Sequence, residues 1–389
     1  MRRQLLTTYD FPPIGGGISR MMGEFTKRYP AGTLLVSTGS HPDSEAVDAG
    51  LPNRVDRIAI QSSRLRTIQG LLVWSHRARG LARSFRPGFV WCGNLKPAGY
   101  PALWVHRREG IRYGIFLHGS ELLLLQSRIA KSRRKSLAAK AILRHASVLV
   151  TVSDWTRRLC RDVLAELGWA PKDFDVRTVP LGTDPNQFQP RLDTREVRAR
   201  YGLEDGRWLI TVARLAAHKG VDTGLQVLAN LRRDYPDLRY AVVGTGIKLG
   251  QLEALARELG VTDRVRFLTT VPDADLPALY NCAEIYLGLS RPAELLIEGF
   301  GITFSEAAAC GIPAVGGRAG GIPDAVKDGE TGILVDSTDP RSVGEVVRCL
   351  LDDRALGQRM GRAGRRAVER YFNWDRVTAD VRSIGEEFA

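Results

Sequence analysis

The stretch WLITVARLAAHKGVDTGL, residues 208–225, decides how the chain is built. Its first five residues, Trp208–Val212, are apolar or β-branched with no polar alternation, the pattern of a strand covered on both faces. Arg214 lies just past the strand end, Lys219 follows it by five, and a helix opens near Gly220–Thr223. A strand, a short loop and a helix in this order form half of a parallel βαβ unit.

The same alternation runs in both directions from there. Strands are expected at Gln4–Tyr9, Thr33–Thr38, Phe89–Cys92, Tyr113–Leu117 and Val148–Val152. A second group comprises Trp208–Val212, Tyr240–Val243, Val265–Leu268, Ala283–Leu287, Pro313–Val315 and Gly332–Val335. Helical patterns at Thr223–Arg233, Leu249–Leu259 and Leu276–Cys282 separate members of the second group, and Arg341–Asp352 follows its last strand. The class is α/β, with parallel sheets covered by helices. Gly182–Arg207, with Pro185, Pro190, many charges and no strand pattern, divides the two groups. Two domains are therefore expected, and a last helix, Trp374–Phe388, follows the second group.

Composition narrows the partners. Of 389 residues, 44% are hydrophobic and 25% charged, so the chain is globular. The start, MRRQLLTTYDFPP, lacks the apolar run of a signal peptide, and no stretch reaches the ~20 apolar residues of a membrane span. The five cysteines lack CxxC spacing and read as reduced thiols of a cytoplasmic protein, with no metal framework. A net charge of +13 suits an anionic partner: nucleic acid, acidic lipid or a phosphorylated substrate.

Parallel sheets bind ligands beyond the carboxyl ends of their strands, so residues just past each strand matter most. After the first strand, DFPPIGGGISRMM carries Gly15, Gly16 and Gly17 into a helix, where bare amides and the helix N-terminus favour an anion. The spacing is not GxGxxG, and Thr38-Gly39-Ser40-His41 offers no acid for a ribose, which argues against a nicotinamide dehydrogenase. Gly244-Thr245-Gly246 is a weaker copy that a plain structural turn explains equally. YGIFLHGSE sets His118 at a strand end, placed to donate to a sugar hydroxyl or phosphate, or to serve the fold alone. Asn94 and Ser153, past two further strands, are candidates for an acceptor. Arg214 and Lys219 bracket a loop and can clamp a diphosphate without a metal. Asp273-Ala274-Asp275 has the look of a metal-binding DxD but reads as the start of the Leu276–Cys282 helix.

EGFGITFSEAAACG, residues 298–311, places Glu298 before an apolar loop, Phe300–Thr303, and Glu306 in the first turn of a helix, Phe304–Cys310. Loop amides and the helix N-terminus seat phosphates, and the two carboxylates accept from polyol hydroxyls on either side.

Taken in order, the glycine loop IGGG, the FLHG histidine, the RLAAHKG loop, the E-x7-E pair of EGFGITFSE and the block AGGIPDAV-x-DGETGILV resemble the retaining GT-B glycosyltransferases of family four along essentially the whole chain. The resemblance implies two Rossmann-like domains facing across a cleft: an acceptor domain, 1–182, with the crossing helix 374–389, and a nucleotide-sugar domain, 207–373. It implies that Arg214 and Lys219 hold the diphosphate, that Glu306 binds the ribose hydroxyls and that Glu298 touches the donor sugar. His118 would lie near that sugar from the other domain. Amides at Gly301, Ile302 and Thr303 would meet the diphosphate or sugar, Val271 would lie by the base, and Gly16, Gly17 and Gly244 would line the donor. His118, Glu298, Arg214 and Lys219 form the catalytic set, with neither cofactor nor metal. RPAELLIEGFGI, residues 291–302, carries an arginine and an acid ahead of the motif that the resemblance does not assign.

The expected reaction moves a hexose (mannose, glucose or N-acetylglucosamine) from a UDP- or GDP-sugar to a sugar, lipid-linked or small polyol acceptor. The rivals are a nucleotide-sugar epimerase on the same scaffold and a basic binding protein; aromatics at 7% and the absence of a recognition motif speak against nucleic acid. Residues 122–146, within a run of seven lysines and arginines and no acid between Leu122 and Ser153, read either as a helix with a solvated basic side or as a surface for anionic lipid at the inner face of the cell membrane.

Overall fold

Among the described residues thirteen short strands, rich in apolar and β-branched side chains, pair in parallel and form two sheets. In the computed structural model, which describes residues 2–131, 136–203 and 206–389, they fall into two units, Met1–Leu181 with Trp374–Ala389, and Gly182–Asn373.

The first unit orders its seven strands β3-β2-β1-β4-β5-β6-β7. They are β1 (Gln4–Thr7), β2 (Leu34–Ser40), β3 (Arg54–Gln61), β4 (Phe89–Cys92), β5 (Arg112–Leu117), β6 (Val148–Thr151) and β7 (Val176–Thr178). Leu5 pairs with Leu35 on one side and Val90 on the other, and Ile115 with Leu149, so apolar pairs fill the sheet's centre, with buried Gln4 and Thr7 at the ends of β1. The two edge strands, β3 and β7, escape the sequence reading. Both carry charges: Arg57 pairs with Asp48, and Arg177 with Asp175 and Glu387. An edge strand faces solvent along one side and does not need an apolar run.

The Trp374–Phe388 helix, its bounds as expected, belongs to this first unit. Phe388 stacks on Phe89 with ring centroids 5.9 Å apart, Arg28 Nε donates to Asp375 at 3.1 Å, and Val377 and Val381 are buried.

The second unit orders its six strands β10-β9-β8-β11-β12-β13. They are β8 (Arg207–Val212), β9 (Leu238–Val243), β10 (Val265–Leu268), β11 (Ile285–Gly288), β12 (Ala314–Gly317) and β13 (Gly332–Val335). The residues from Gly182 to Arg207 that divide the strand groups fall in this unit: Arg365 donates to the carbonyls of Pro185, Phe188 and Ala309 at 2.7–2.9 Å. The Arg354–Arg370 helix lies against the chain turn at Gly311 so closely that a Cβ at Gly361 would meet the Gly311 carbonyl oxygen at 1.9 Å. Gly361→Ala is expected to cost about 1–3 kcal/mol, the usual penalty of overpacking, measured as a lowered urea midpoint. An unchanged midpoint would mean that the helix is free to shift.

Strand order reverses between β1 and β4 in the first sheet and between β8 and β11 in the second. Such a reversal opens a crevice at the carboxyl ends, because the two flanking loops leave in opposite directions. The Arg214–Lys219 loop follows β8 and the E-x7-E segment follows β11, so both open on the second crevice.

Candidate active site

The loop after β8 is stitched to its neighbour by backbone bonds: Ala213 N–H to Val243 O at 3.0 Å, Leu215 N–H to Thr245 O at 2.9 Å, and Lys248 N–H to Leu215 O at 3.1 Å. A single tight turn, Ala217–Lys219, then delivers Lys219, and the next helix begins at Val221, two residues before the expected start. Lys219 Nζ donates to the Glu298 carboxylate. The two side chains keep 17% and 20% of their surface exposed, so a ligand can still reach both. Burial opposes ionisation of Glu298, but the Lys219 ammonium, joined by His218 and Arg214, outweighs it and holds the carboxyl below its ordinary value. Arg214 itself is exposed.

The E-x7-E segment corrects the expected helix start. The helix runs Ile302–Ala309, so Ile302 and Thr303 are its first residues and not a loop. Gly301, at φ 96°, occupies the left-handed region and takes the N-cap place, which lets the turn begin early. The first amides of a helix have no acceptor within it, so those of Ile302 and Thr303 still offer an anion seat. Glu306 is consequently the fifth helical residue, past the first turn. It is 1% exposed and accepts from Tyr280 Oη at 2.8 Å, while Tyr286 Oη donates to Thr303 Oγ1 at 2.6 Å.

Gly244, at φ 130°, lies directly after β9, and Val271 lies in the segment after β10, half-buried against the core. Asp275 takes the N-cap place of the Leu276–Asn281 helix, as read, but its carboxylate is engaged by Tyr201 Oη at 2.6 Å and Arg200 at 2.8 Å and does not cap the turn. Among the described residues no cluster of three or more His, Cys, Asp or Glu could hold a metal ion.

In the first unit, Gly16 is exposed, with φ 122°, and caps the Gly17–Arg28 helix, so the glycine loop is open to a ligand. His118 follows β5 and hydrogen-bonds through Nε2 to Gly93 O at 2.8 Å, while its backbone N–H donates to Glu121. Asn94 is buried and braced: its amide donates to Asp10 at 2.9 Å and its Oδ1 accepts from Ala98 N–H. Ser153 is fully buried and caps the Asp154–Glu166 helix through Thr156 N–H, which gives its hydroxyl a structural duty.

Three residues at the second crevice escape the sequence reading: His218, Tyr280 and Tyr286. The tyrosines lie in ordinary apolar runs, whereas His218 stands directly before Lys219 in the loop after β8, a position that marks it. His218 is 4% exposed with Nδ1 buried and without a hydrogen-bond partner. Burial first, then Lys219 and Arg214 against the opposing pull of Glu298, push it down to about 4 from its ordinary 6.5. Between those values the unfolded chain takes up a proton that the folded chain refuses. Stability is therefore complete above pH 6.5 and falls as pH drops toward 4, by at most about 1.4 kcal/mol per pH unit. Thermal melts of His218→Asn should gain on the wild type through that window; parallel curves would contradict the assignment.

Two family models match: glycosyl transferase 4-like domain over residues 16–182 and glycosyl transferases group 1 over residues 193–367. The chain is 31% identical over 377 residues to the GDP-mannose-dependent alpha-(1-6)-phosphatidylinositol monomannoside mannosyltransferase of Mycolicibacterium smegmatis, covering 95% of this chain and 94% of that protein. The fold resembles the sucrose-phosphate synthase of Thermosynechococcus elongatus (TM-score 0.81, 20% identity, 99% of each chain). It also resembles Anabaena HepE in complex with UDP and glucose (TM-score 0.78, 18% identity, 99% of each chain). Both strand orders, the crossing C-terminal helix and the two matched domains agree: the chain belongs to the glycosyl transferases group 1 and is a glycosyltransferase with the GT-B fold.

Proposed function

We propose that the chain transfers mannose from GDP-mannose, with retention at the anomeric carbon and without metal or cofactor, to a hydroxyl of a phosphoinositol-type glycolipid. The observation that carries this reading is the Lys219–Glu298 contact at the carboxyl ends of β8 and β11, with Arg214 exposed beside it. Full-length similarity to a GDP-mannose-dependent enzyme supports the donor and the acceptor class.

As the bond from the anomeric carbon to the phosphate oxygen breaks, charge grows on the diphosphate. Arg214, Lys219 and the amides of Ile302 and Thr303 meet that charge in place, and fixed groups of this kind supply most of a typical rate enhancement. The acceptor hydroxyl bonds to the anomeric carbon on the face the phosphate leaves, and its proton passes to the departing phosphate oxygen. Glu298 holds sugar hydroxyls, Glu306 the ribose, Val271 lies by the base and His118 assists at the sugar.

The acceptor class asks for access to a lipid surface. Arg133, Arg134 and Lys135 of the basic run lie outside the described residues. In its described parts, helices Ser120–Lys131 and Leu137–Arg144, the apolar side chains Leu122, Leu125, Ile142 and Leu143 are buried, while Leu124 and Leu137 are 40% and 60% exposed. No described helix is long and apolar enough to cross a membrane. An exposed apolar patch with two cations beside it lies at the start of the Ile68–Phe85 helix: Ile68, Leu72 and Val73 are 81%, 52% and 46% exposed, next to exposed Arg64 and Arg66. From Arg57 to Arg108 there are ten lysines and arginines and no acid, although Arg57, Arg77, Arg79 and Arg83 pair with Asp48, Asp56 and Glu109. Each basic residue near an anionic surface contributes about 1 kcal/mol.

The test combines binding and turnover. GDP-mannose and GDP should raise the melting temperature, which UDP- and ADP-glucose should not. Transfer to a phosphatidylinositol mannoside should persist in excess EDTA and give an α linkage by NMR. Stabilisation by UDP-sugars alone would move the donor, and a β linkage would sink retention. Chelator loss restored by manganese would assign Asp273 and Asp275 to a metal, and isomerised donor in the absence of acceptor would favour an epimerase. Binding to anionic vesicles, lost with salt and weakened by the triple change Arg64→Gln, Arg66→Gln and Leu72→Ser, would support the lipid surface; equal binding by that variant would exclude this face.

A further inference from the structure

Arg291 and Glu294 stand ahead of the E-x7-E pair without an assigned part, and the structure separates their duties. Glu294 is exposed, at φ 55°, in a tight reversal closed by mutual backbone bonds between Ala293 and Leu296. Arg291 points the other way. Its backbone N–H donates to His218 O at 2.8 Å, one residue before Lys219. Its guanidinium reaches Asp222 Oδ2 at 2.5 Å and Thr223 Oγ1 at 2.9 Å, in the first turn of the helix after that loop. Thr223 Oγ1 donates onward to Ser337 O at 2.9 Å, and Ser337 Oγ returns to Ser290 O at 3.3 Å, the carbonyl just before Arg291. A closed polar ring thus ties the ends of β8, β11 and β13.

We propose that Arg291 is the positioning residue of the donor site, fixing Lys219 against Glu298 without touching the donor. Its backbone amide holds one end of the Lys219 loop at His218 O, and its guanidinium holds the other at Asp222–Thr223. Arg291 also begins the excursion that ends at Glu298, so its backbone amide and its guanidinium together tie that excursion to the Lys219 loop, and the guanidinium supplies the hold at Asp222–Thr223. A bidentate guanidinium suits the task because its planar fork fixes direction as well as distance, which an ammonium does not.

This inference rests on the reading that Lys219 and Glu298 meet the donor, and the experiment keeps the two apart. Arg291→Ala, Arg291→Lys and Lys219→Ala are compared for kcat, donor KM, melting temperature and the acid limb of the kcat–pH profile. The groups facing Glu298 are Lys219, His218, Arg214 and Tyr286, of which Lys219 does most to keep it ionised. With the loop adrift, Glu298 loses that ammonium, and the acid limb moves to higher pH. Arg291→Ala should lower kcat on the order of 10- to 100-fold, the scale of a misplacement near 1 Å, raise the acid limb, and be partly rescued by Arg291→Lys. If Lys219→Ala is slow but Arg291→Ala keeps its kcat and acid limb, the inference falls alone, even when the melting temperature drops. If Lys219→Ala turns over normally, the reading of the site falls and takes the inference with it. Should Arg291→Ala fail to fold, Asp222→Asn carries the test: an acid limb raised by a lesser amount supports the brace, and one unmoved overturns it.

Discussion

Lys219→Ala is expected to lower turnover about 100- to 1000-fold, the loss that follows removal of one fixed donor to a developing oxyanion. The ammonium sits at a loop tip held by backbone bonds, with little packing to lose, so the melting temperature should fall by only a few degrees. Glu298 keeps 20% of its side-chain surface exposed, so water can reach its carboxylate once the ammonium is gone. Arg214→Ala should follow with a smaller loss, because its guanidinium is exposed and water replaces part of its effect. Steady-state kinetics with GDP-mannose, beside melting curves, separates these outcomes from misfolding. Normal turnover in both variants would show that the diphosphate binds elsewhere.

The second large effect divides the two glutamates. Glu306 is buried against Tyr280 and lies one helical turn beyond the Ile302 and Thr303 amides. Glu306→Gln should weaken binding of GDP itself about 10- to 100-fold, the range of one lost charge-assisted hydrogen bond, 1.5–3 kcal/mol. Glu298→Gln removes the partner of Lys219 but no contact to the nucleotide. Its GDP affinity should stay within about threefold of wild type while kcat falls on the order of 100-fold. Calorimetry with GDP and kinetics with GDP-mannose measure the two quantities separately. Equal loss of GDP affinity in both variants would end the division of labour.

Much of this site is legible in the sequence. Arg214 and Lys219 stand out because a buried strand ends two residues before the first cation, and Glu298 and Glu306 because an apolar, glycine-bearing stretch separates them. What misleads is the start of the helix between the glutamates. Phe300–Thr303 reads as a loop because Gly299 and Gly301 interrupt the pattern, yet Gly301 supplies the left-handed turn that opens the helix at Ile302. Ser153 shows the converse: a strand-end hydroxyl in the place of a ligand-binding residue is spent on capping.

The central strands, the E-x7-E spacing and the Trp374–Phe388 helix follow from the sequence alone, because burial on both faces and helical periodicity are written in consecutive residues. The edge strands β3 and β7 do not, since half of each faces water and its pairing depends on the neighbour. Only the tertiary structure brings Lys219 to Glu298 and Arg291 to Asp222, pairs 79 and 69 residues apart. Those contacts exist because β8 and β11 lie side by side where the strand order reverses, an adjacency decided by the packing of the whole sheet.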